Sequence, residues 1–261
     1  MKLAVNSSAP LHRLLSREAV QVDLIKCPEW EGMVNTARQL APVYIHFEIA
    51  IGNASVQDLD FAMIKRFIET TETPHLNVHL GGDKQLNTDS HRDQVKLLDA
   101  WKVDIGTIRE HLPDTIIVAE NLPYMPTYSE NRIANHSWMI SELLESMDIG
   151  LLLDLSHSRI TAAYENQDYQ VLTETLPVQR LRELHLTGIK PYAGCLTDHF
   201  EMNADDFAAA EWAITQIKSG KWREPEIVAF EYGGSGDVFA WRSEEWVVRE
   251  QVPALWRMIH G

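Results

Sequence analysis

Short apolar runs alternate along the chain with longer segments in which apolar residues recur every three or four positions. Consecutive Val, Ile and Leu are typical of parallel strands covered on both faces, and the longer segments have the period of amphipathic helices. Eight runs predict strands: 2–6, 20–26, 43–48, 75–80, 115–120, 149–154, 181–186 and 226–231. The clearest predicted helices are 57–70, 92–111, 136–147 and 204–218, with a short first helix at 11–19.

Eight alternations of strand and helix predict an α/β protein, a (β/α)8 TIM barrel that forms a single domain over residues 1–261. The length of 261 residues is near the usual size of that fold, and a hydrophobic fraction of 45% can fill its core. No repeat, low-complexity tract or linker divides the chain.

Charge and cysteine usage narrow the expected partners and compartment. The 38 acidic residues exceed the 23 Lys and Arg, which gives a net charge of −15 and makes nucleic acid an unfavourable partner. The two cysteines suit a reducing compartment. No signal peptide or apolar run of membrane-spanning length is visible. We therefore expect a cytoplasmic protein without a membrane partner.

Side chains that can bind a metal ion stand at or near the ends of strands three to eight. Histidine and carboxylate are ligands of zinc, iron and manganese, and a charge is costly in an apolar strand without a partner. In a TIM barrel the loops after the strands share one face, where catalysis takes place. The candidate ligands at these strand ends are His46, His79, Glu120, Asp154, His185 and Glu231. The segments that follow the strands add His157, Asp198 and His199.

Each candidate also has a structural interpretation. A single His near a strand end is commonly a hydrogen-bonded core residue, and Asp154 could cap the turn after its strand. Glu120 and Glu231 could pair with Arg or Lys, although the runs IIVAE and IVAFE contain no adjacent cation. A shared metal site explains all positions together, and a carboxylate such as Glu120 can bridge two ions. Six further histidines lack this position and are interpreted as ordinary: His12, His75, His91, His111, His136 and His260.

In strand order, the candidate ligands are similar to the metal constellation of the xylose-isomerase-like barrel superfamily, which includes endonuclease IV. The strings VHL, AEN, GLLLDLS and RELHLTG resemble most the multinuclear non-haem iron-dependent oxidases. The resemblance covers roughly residues 20–235.

The resemblance implies two or three divalent ions, with iron favoured over zinc or manganese. One ion would be held by His46, His79 and Glu120, and a second by Glu120, Asp154, His185 and Glu231. A third would fall to His157, Asp198 and His199. Glu120, Glu231 and His185 are the expected catalytic residues.

Two departures from the family pattern affect the third ion. The family's acid and histidine in the penultimate motif are usually one residue apart, whereas Asp198 and His199 are adjacent and cannot both face one side of an extended backbone. Ser156 and His157 stand where the oxidases tend to carry asparagine, which is closer to the endonuclease-like form.

Four functions remain open. Oxidase-like action on a small molecule or peptide group, with a possible partner protein that holds the peptide, ranks first. A divalent-metal sugar or sugar-phosphate isomerase or epimerase ranks second. A metal-binding barrel without turnover is the third alternative, and an AP endonuclease is disfavoured because no basic DNA-binding loop stands out.

Three further features carry weaker expectations. The segment YGGSGD, Tyr232 to Asp237, follows the eighth strand, where barrels often bind phosphate, but a flexible turn is the favoured interpretation. Asn121, Tyr124 and Tyr128 follow Glu120 and are candidates for substrate contact. The three tryptophans near the last helix are expected to pack it on the barrel: Trp241, Trp246 and Trp256.

Overall fold

The computed structural model describes residues 1–52, 55–234, 236 and 239–261, and these residues form a parallel barrel surrounded by helices. Its strands, in chain order, are β1 (Lys2–Asn6), β2 (Leu24–Cys27), β3 (Val43–Ile45), β4 (Ala50–Ile51), β5 (Leu76–Leu80), β6 (Ile117–Glu120), β7 (Gly150–Asp154), β8 (Leu181–Leu186) and, after a separate hairpin, β11 (Ile227–Phe230). The spatial order is β3-β2-β1-β11-β8-β7-β6-β5-β4, and every pairing in it is parallel. The predicted (β/α)8 barrel is therefore confirmed.

The third predicted strand differs from its expected form. Instead of one strand over 43–48, the chain forms β3, which pairs with β2, and β4, which pairs with β5. The two pieces lie at opposite ends of the sheet order, so one interrupted strand closes the barrel. The second strand begins four residues later than predicted, at Leu24, and the remaining strands differ from the prediction by two residues or fewer.

Asn77, in the middle of β5, forms hydrogen bonds that bridge the interruption of the third strand. Its Oδ1 accepts a hydrogen bond from Phe47 N at 2.7 Å, and its Nδ2 donates to Phe47 O at 2.9 Å. Two further hydrogen bonds flank this pair: Thr73 Oγ1 accepts from Ile45 N, and the backbone N–H of His79 donates to Ile49 O. Side-chain groups thus replace the missing ladder hydrogen bonds, as buried backbone groups require.

The helices lie outside the barrel and follow the predicted periodicity. They are α1 (Ala9–Ser16), α2 (Glu31–Ala37), α3 (Phe61–Thr71), α4 (His91–His111), α5 (Asn131–Ala134), α6 (Ser137–Ser146), α7 (Leu155–Glu165), α8 (Tyr169–Glu174), α9 (Ala204–Lys218) and α10 (Glu245–His260). Side-chain caps begin several of them: Asp60 accepts from Met63 N, and Asn203 forms a capping box with Asp206. The predicted helix 57–70 begins only at Phe61, because a 3-10 turn precedes it.

A two-stranded antiparallel hairpin, β9 (Gly188–Tyr192) and β10 (Cys195–Phe200), follows β8 and was not predicted. Few apolar residues alternate along its two strands, and most of their residues are half-buried. The sequence therefore lacks the alternating apolar pattern that would predict strands there. The hairpin contributes Asp198 and His199 to the face of the barrel that carries the strand ends.

Two apolar clusters form the core. The large one fills the space between the barrel and its helices, and a small one lies inside the barrel, formed by Ala4, Leu24, Tyr44, Ile227 and Ala229. Trp256 packs against the large cluster, as predicted for the last helix, whereas Trp241 and Trp246 are about half exposed. Within the described part of the chain, no helix has the length and apolar character needed to span a membrane.

Replacing Asn77 by Ala should lower the free energy of unfolding by about 2–5 kcal/mol, because Phe47 would keep a buried N–H and a buried carbonyl without partners. Chemical denaturation monitored by circular dichroism measures this loss. Asn35, exposed on α2, is the matched control, and Asn35→Ala should change stability by no more than about 0.5 kcal/mol. Equal effects of the two substitutions would refute the role of Asn77 as a bridge.

Candidate metal centre

Strand register brings the candidate ligands together at one end of the barrel. His79 on β5 lies opposite Glu120 on β6, and Asp154 on β7 lies opposite His185 on β8. Each residue is at or near the C-terminal end of its strand. Ligands that are 41 and 31 positions apart in the sequence thus become neighbours on adjacent strands.

The first ligand group consists of His46, His79 and Glu120. His79 Nε2 lies 3.2 Å from both His46 Nε2 and Glu120 Oε2, and His46 Nε2 lies 3.6 Å from the same oxygen. Four-coordinate ions with bonds near 2.1 Å hold their ligands about 3.4 Å apart. The spacing of these three atoms could therefore accommodate one ion.

The second ligand group surrounds His185 Nδ1. This atom lies 3.2 Å from Glu231 Oε1, 3.8 Å from Asp154 Oδ2 and 3.8 Å from Glu120 Oε1. Glu120 therefore directs Oε2 to the first group and Oε1 to the second. This is the arrangement of a carboxylate that can bridge two ions.

Several atoms of these groups lack a hydrogen-bond partner despite complete burial. They include Glu120 Oε2, Asp154 Oδ2 and His185 Nδ1. Buried polar atoms are nearly always paired, and an unpaired carboxylate oxygen in a protein interior is costly. Two divalent cations, one at each group, would satisfy these three atoms, so the residues present fit a metal centre.

Asp154 combines the two roles that the sequence left as alternatives. Its Oδ1 accepts from His157 N at 2.8 Å and caps α7, while Oδ2 remains unpaired. His157 then directs its ring into the site: Nδ1 lies 2.7 Å from the carbonyl of Asn121, and Nε2 lies 2.9 Å from Asp198 Oδ2. The carbonyl fixes the proton on Nδ1 and leaves Nε2 as the atom that could bind an ion.

A bulge in β10 brings the adjacent Asp198 and His199 toward the same site. The strand register shifts between Thr197 and Phe200, and His199 has a φ of +59°. The backbone is therefore not extended at this point, and the geometric objection to adjacent ligands does not apply. His199 Nε2 lies 4.0 Å from Glu231 Oε2, while Asp198 contacts His157.

Residues outside the predicted set orient His185. Glu183 lies two residues earlier on the same face of β8, and its Oε1 is 2.8 Å from His185 Nε2. Tyr44 donates to Glu183 at 2.7 Å, and His75 Nε2 contacts the other Glu183 oxygen. His75, interpreted as ordinary from the sequence, therefore belongs to the layer that supports the ligands, and Nδ1 of His185 is left to face the site.

Lys26 was also missed, and it corrects the expectation that Glu231 has no cation nearby. Its Nζ forms an ion pair with Glu231 Oε1 and lies 3.3 Å from His185 Nε2. The cation comes from β2, far from β11 in sequence, so adjacent positions could not reveal it. A lysine at the end of an apolar strand was the available signal.

The charges of the site favour metal-binding protonation states. Burial and the charge of Lys26 hold the pKa of His46 well below its usual value, which keeps its imidazole neutral. Burial alone would raise the pKa of Glu120, but His79 and His185 hold it well below the usual range. Burial lowers the pKa of Lys26, and Glu183 is the largest of the opposing influences.

His185 and His157 are the exceptions. Burial and the charge of Lys26 favour the neutral form of His185, but its contacts with Glu120 and Glu183 outweigh them and raise its pKa. The pKa of His157 is raised as well. Burial favours its neutral form, but Asp154 and Asp198 outweigh that effect and raise the pKa to about 10. An ion that binds at His157 must therefore displace a proton.

A cavity of about 410 Å³ opens over the ligands, within the size range of small-molecule sites. Six candidate ligands line it: His46, His79, Glu120, His157, His199 and Glu231. The other lining residues are Asn6, Ser7, Lys26, Cys27, Pro28, Trp30, Glu48, Leu122, Gly233, Gly234 and Phe239. Asn121, Tyr124 and Tyr128, the candidate substrate contacts, are not among its lining residues in the described part of the chain. Asn121 instead binds the backbone N–H and carbonyl of Asp154, which is a structural role.

Two residues of the segment YGGSGD, Gly233 and Gly234, line this cavity. Gly233 N donates to His199 O and Gly234 N to Ser243 Oγ, so both N–H groups already have partners. This favours a turn, rather than an anion-binding site, at these two glycines. Ser235 and Asp237 lie outside the described residues.

The sequence of this chain matches a known protein family. The sequence profile of a family described as "RiPP precursor modification enzyme MbnB/TglH/ChrH" matches residues 29–216, more than two thirds of the chain. The chain belongs to this family. The resemblance to the multinuclear iron oxidases within the xylose-isomerase-like superfamily is thereby confirmed.

Individual relatives are distant. A UPF0276 protein of Acaryochloris marina is 25% identical over 167 residues, which cover 61% of this chain and 58% of the relative. A UPF0276 protein of Chromobacterium violaceum is 23% identical over 177 residues, 64% of this chain and 62% of the relative. The chain thus spans about three fifths of the length of the curated relatives that it matches.

Solved structures share the fold. A D-psicose 3-epimerase crystallised in the presence of D-fructose superposes with a TM-score of 0.60 at 12% identity and covers 100% of both chains. A family 2 AP endonuclease from Brucella melitensis gives a TM-score of 0.58 at 12% identity over 97% of this chain and 98% of its own. At these identities the likeness concerns the barrel alone.

Replacing Glu120 by Gln should remove the bridging charge and lower affinity for ions at both main groups by more than about tenfold. Elemental analysis of protein reloaded with metal after chelation measures the content. Glu142→Gln, on the exposed face of α6, is the matched control and should keep wild-type content. Full occupancy in Glu120→Gln would rule out the assigned bridge.

Metal loading at His157 should release a proton, because its raised pKa keeps the ring protonated below about pH 10. Affinity at this position should therefore increase with pH. Calorimetry at pH 8 in two buffers of different ionisation enthalpy counts the protons, and His157→Gln should release about one fewer than wild type. His91→Gln, on the exposed start of α4, should leave the count unchanged. An unchanged count in His157→Gln would contradict this role.

Proposed function

We propose that this protein is a metal-dependent enzyme with a di- or trinuclear centre that oxidises a group on a small molecule or peptide, with O₂ as the oxidant. The observation that carries the proposal is the position of Glu120, whose two oxygens face two separate ligand groups. The family description, which names modification of RiPP precursors, favours a peptide substrate.

The metal ligands proposed are His46, His79, Glu120, Asp154, His157, His185, Asp198, His199 and Glu231. Bound iron would supply Lewis acidity and electron transfer to O₂. Carboxylate and histidine together suit iron, manganese and zinc, so the ligand set is compatible with iron without selecting it.

Residues of the chain would orient the metal ligands and enclose the substrate. Glu183 holds the ring of His185 in one orientation, and Asn77 Nδ2 lies 3.2 Å from His46 Nε2. Trp30, Leu122 and Phe239 add apolar surface to the lining of the cavity. A side chain of a peptide could enter this cavity while the remainder stays outside, where a partner protein could hold it.

A divalent-metal sugar epimerase is the second candidate. The same carboxylates could move a proton at a carbon beside a metal-bound carbonyl. The cavity volume suits a monosaccharide, which is the observation that keeps this candidate open.

Metal-free protein reconstituted anaerobically with Fe(II), Mn(II) or Zn(II) separates the candidates. We expect only the Fe(II) protein to consume O₂, and only when a peptide or small-molecule substrate is present, with a mass change on that substrate. The measurements are an oxygen electrode and mass spectrometry. Interconversion of D-fructose and D-psicose by the Mn(II) or Zn(II) protein, independent of O₂, would favour the epimerase instead. Tight metal binding without either activity would favour a non-catalytic barrel.

A further inference from the structure

Lys26 holds a positive charge inside the ligand layer. Its direct polar contacts among the described residues are the ion pair with Glu231 Oε1 and the approach of its Nζ to His185 Nε2 at 3.3 Å. Its side chain is only 6% exposed, so water does not screen the charge. The same Glu231 oxygen is the one that lies 3.2 Å from His185 Nδ1 in the second ligand group.

The backbone fixes Lys26 in this position. Lys26 is paired with Asn6 on β1 and Tyr44 on β3, and its carbonyl accepts from Ser7 N at 2.8 Å. The ammonium group can move only by rotation of the side chain, and it stays tethered to the barrel interior. In the observed rotamer the ammonium group contacts Glu231.

A second ion and Lys26 require the same carboxylate oxygen. An ion at Asp154, His185 and Glu231 would lie beside the ammonium group, and two cations at contact distance repel strongly in a buried site. The first group, His46, His79 and Glu120, has no direct contact with Lys26 among the described residues. The two groups are therefore unequal.

We propose that the Lys26 ammonium competes with the second metal ion for Glu231, so that the two main sites fill in order: His46, His79 and Glu120 first, and Asp154, His185 and Glu231 second and more weakly. This inference rests on the proposed metal centre. Lys26 and Glu231 both lie outside residues 29–216, so the family match does not bear on their pairing.

Lys26→Met removes the charge and keeps an unbranched apolar stem of similar length. Titration of metal-free protein with Zn²⁺ against a chromophoric chelator should give wild type a tight first equivalent and a weaker second one at these two groups, apart from any ion at His157. In Lys26→Met the second equivalent should tighten by at least about tenfold and the first by much less, because Lys26 contacts Glu231 directly and acts on His46 only from a distance. Elemental analysis after dialysis counts the bound ions independently.

Two variants accompany this test. Lys26→Arg keeps the positive charge and should retain the weak second equivalent of wild type. Lys102→Met removes a lysine paired with Glu142 on the helical surface and should alter neither equivalent. If Lys26→Met does not fold, Lys26→Gln provides the same loss of charge with a polar end.

The outcomes separate this inference from the proposed function. A second equivalent that does not tighten in the charge-removing variants overturns the competition, even if both ions bind. The same conclusion follows if Lys26→Met only lowers thermal stability, because the ion pair is then purely structural. Failure of wild type and variants alike to bind Zn²⁺, Mn²⁺ or Fe²⁺ would instead overturn the metal centre itself.

Discussion

Repulsion among buried carboxylates is the constraint on which this structure depends. Glu120, Asp154, Glu183 and Glu231 converge at one end of the barrel, and all four are almost completely buried. Such a concentration of negative charge is unstable in a protein interior unless cations or hydrogen-bond donors offset it. The surrounding histidines and Lys26 provide part of the compensation, and unpaired atoms such as Asp154 Oδ2 remain for metal ions.

The groups that offset this negative charge lie in layers along the barrel. Apolar side chains such as Ala4 and Ile227 occupy the small cluster inside the barrel. Glu183, with its hydrogen bonds from Tyr44 and His75, forms a polar layer that supports His185. The ligand groups follow at the strand ends, next to the cavity. The ligands are thus held by parallel strands, whose register is fixed by their backbone hydrogen bonds.

Barrels of this shape serve different reactions, since the fold is shared with an epimerase and an AP endonuclease of 12% identity. Chemistry must therefore be decided by local features of the site. Two local features shape this centre: the bulge that brings adjacent Asp198 and His199 toward the ligands, and the lysine that shares Glu231 with the second group. Both alter the charge and spacing around the same carboxylate, Glu231.

The sequence by itself determined the barrel and its ligand candidates, because strand and helix periods are local and a charged residue at the end of an apolar run is visible without coordinates. It could not predict the split third strand bridged by Asn77, the bulge at His199 or the pairing of Lys26 with Glu231. These depend on contacts between segments up to 205 positions apart. Closure of the barrel decides such contacts, and no local pattern encodes which distant side chains will meet.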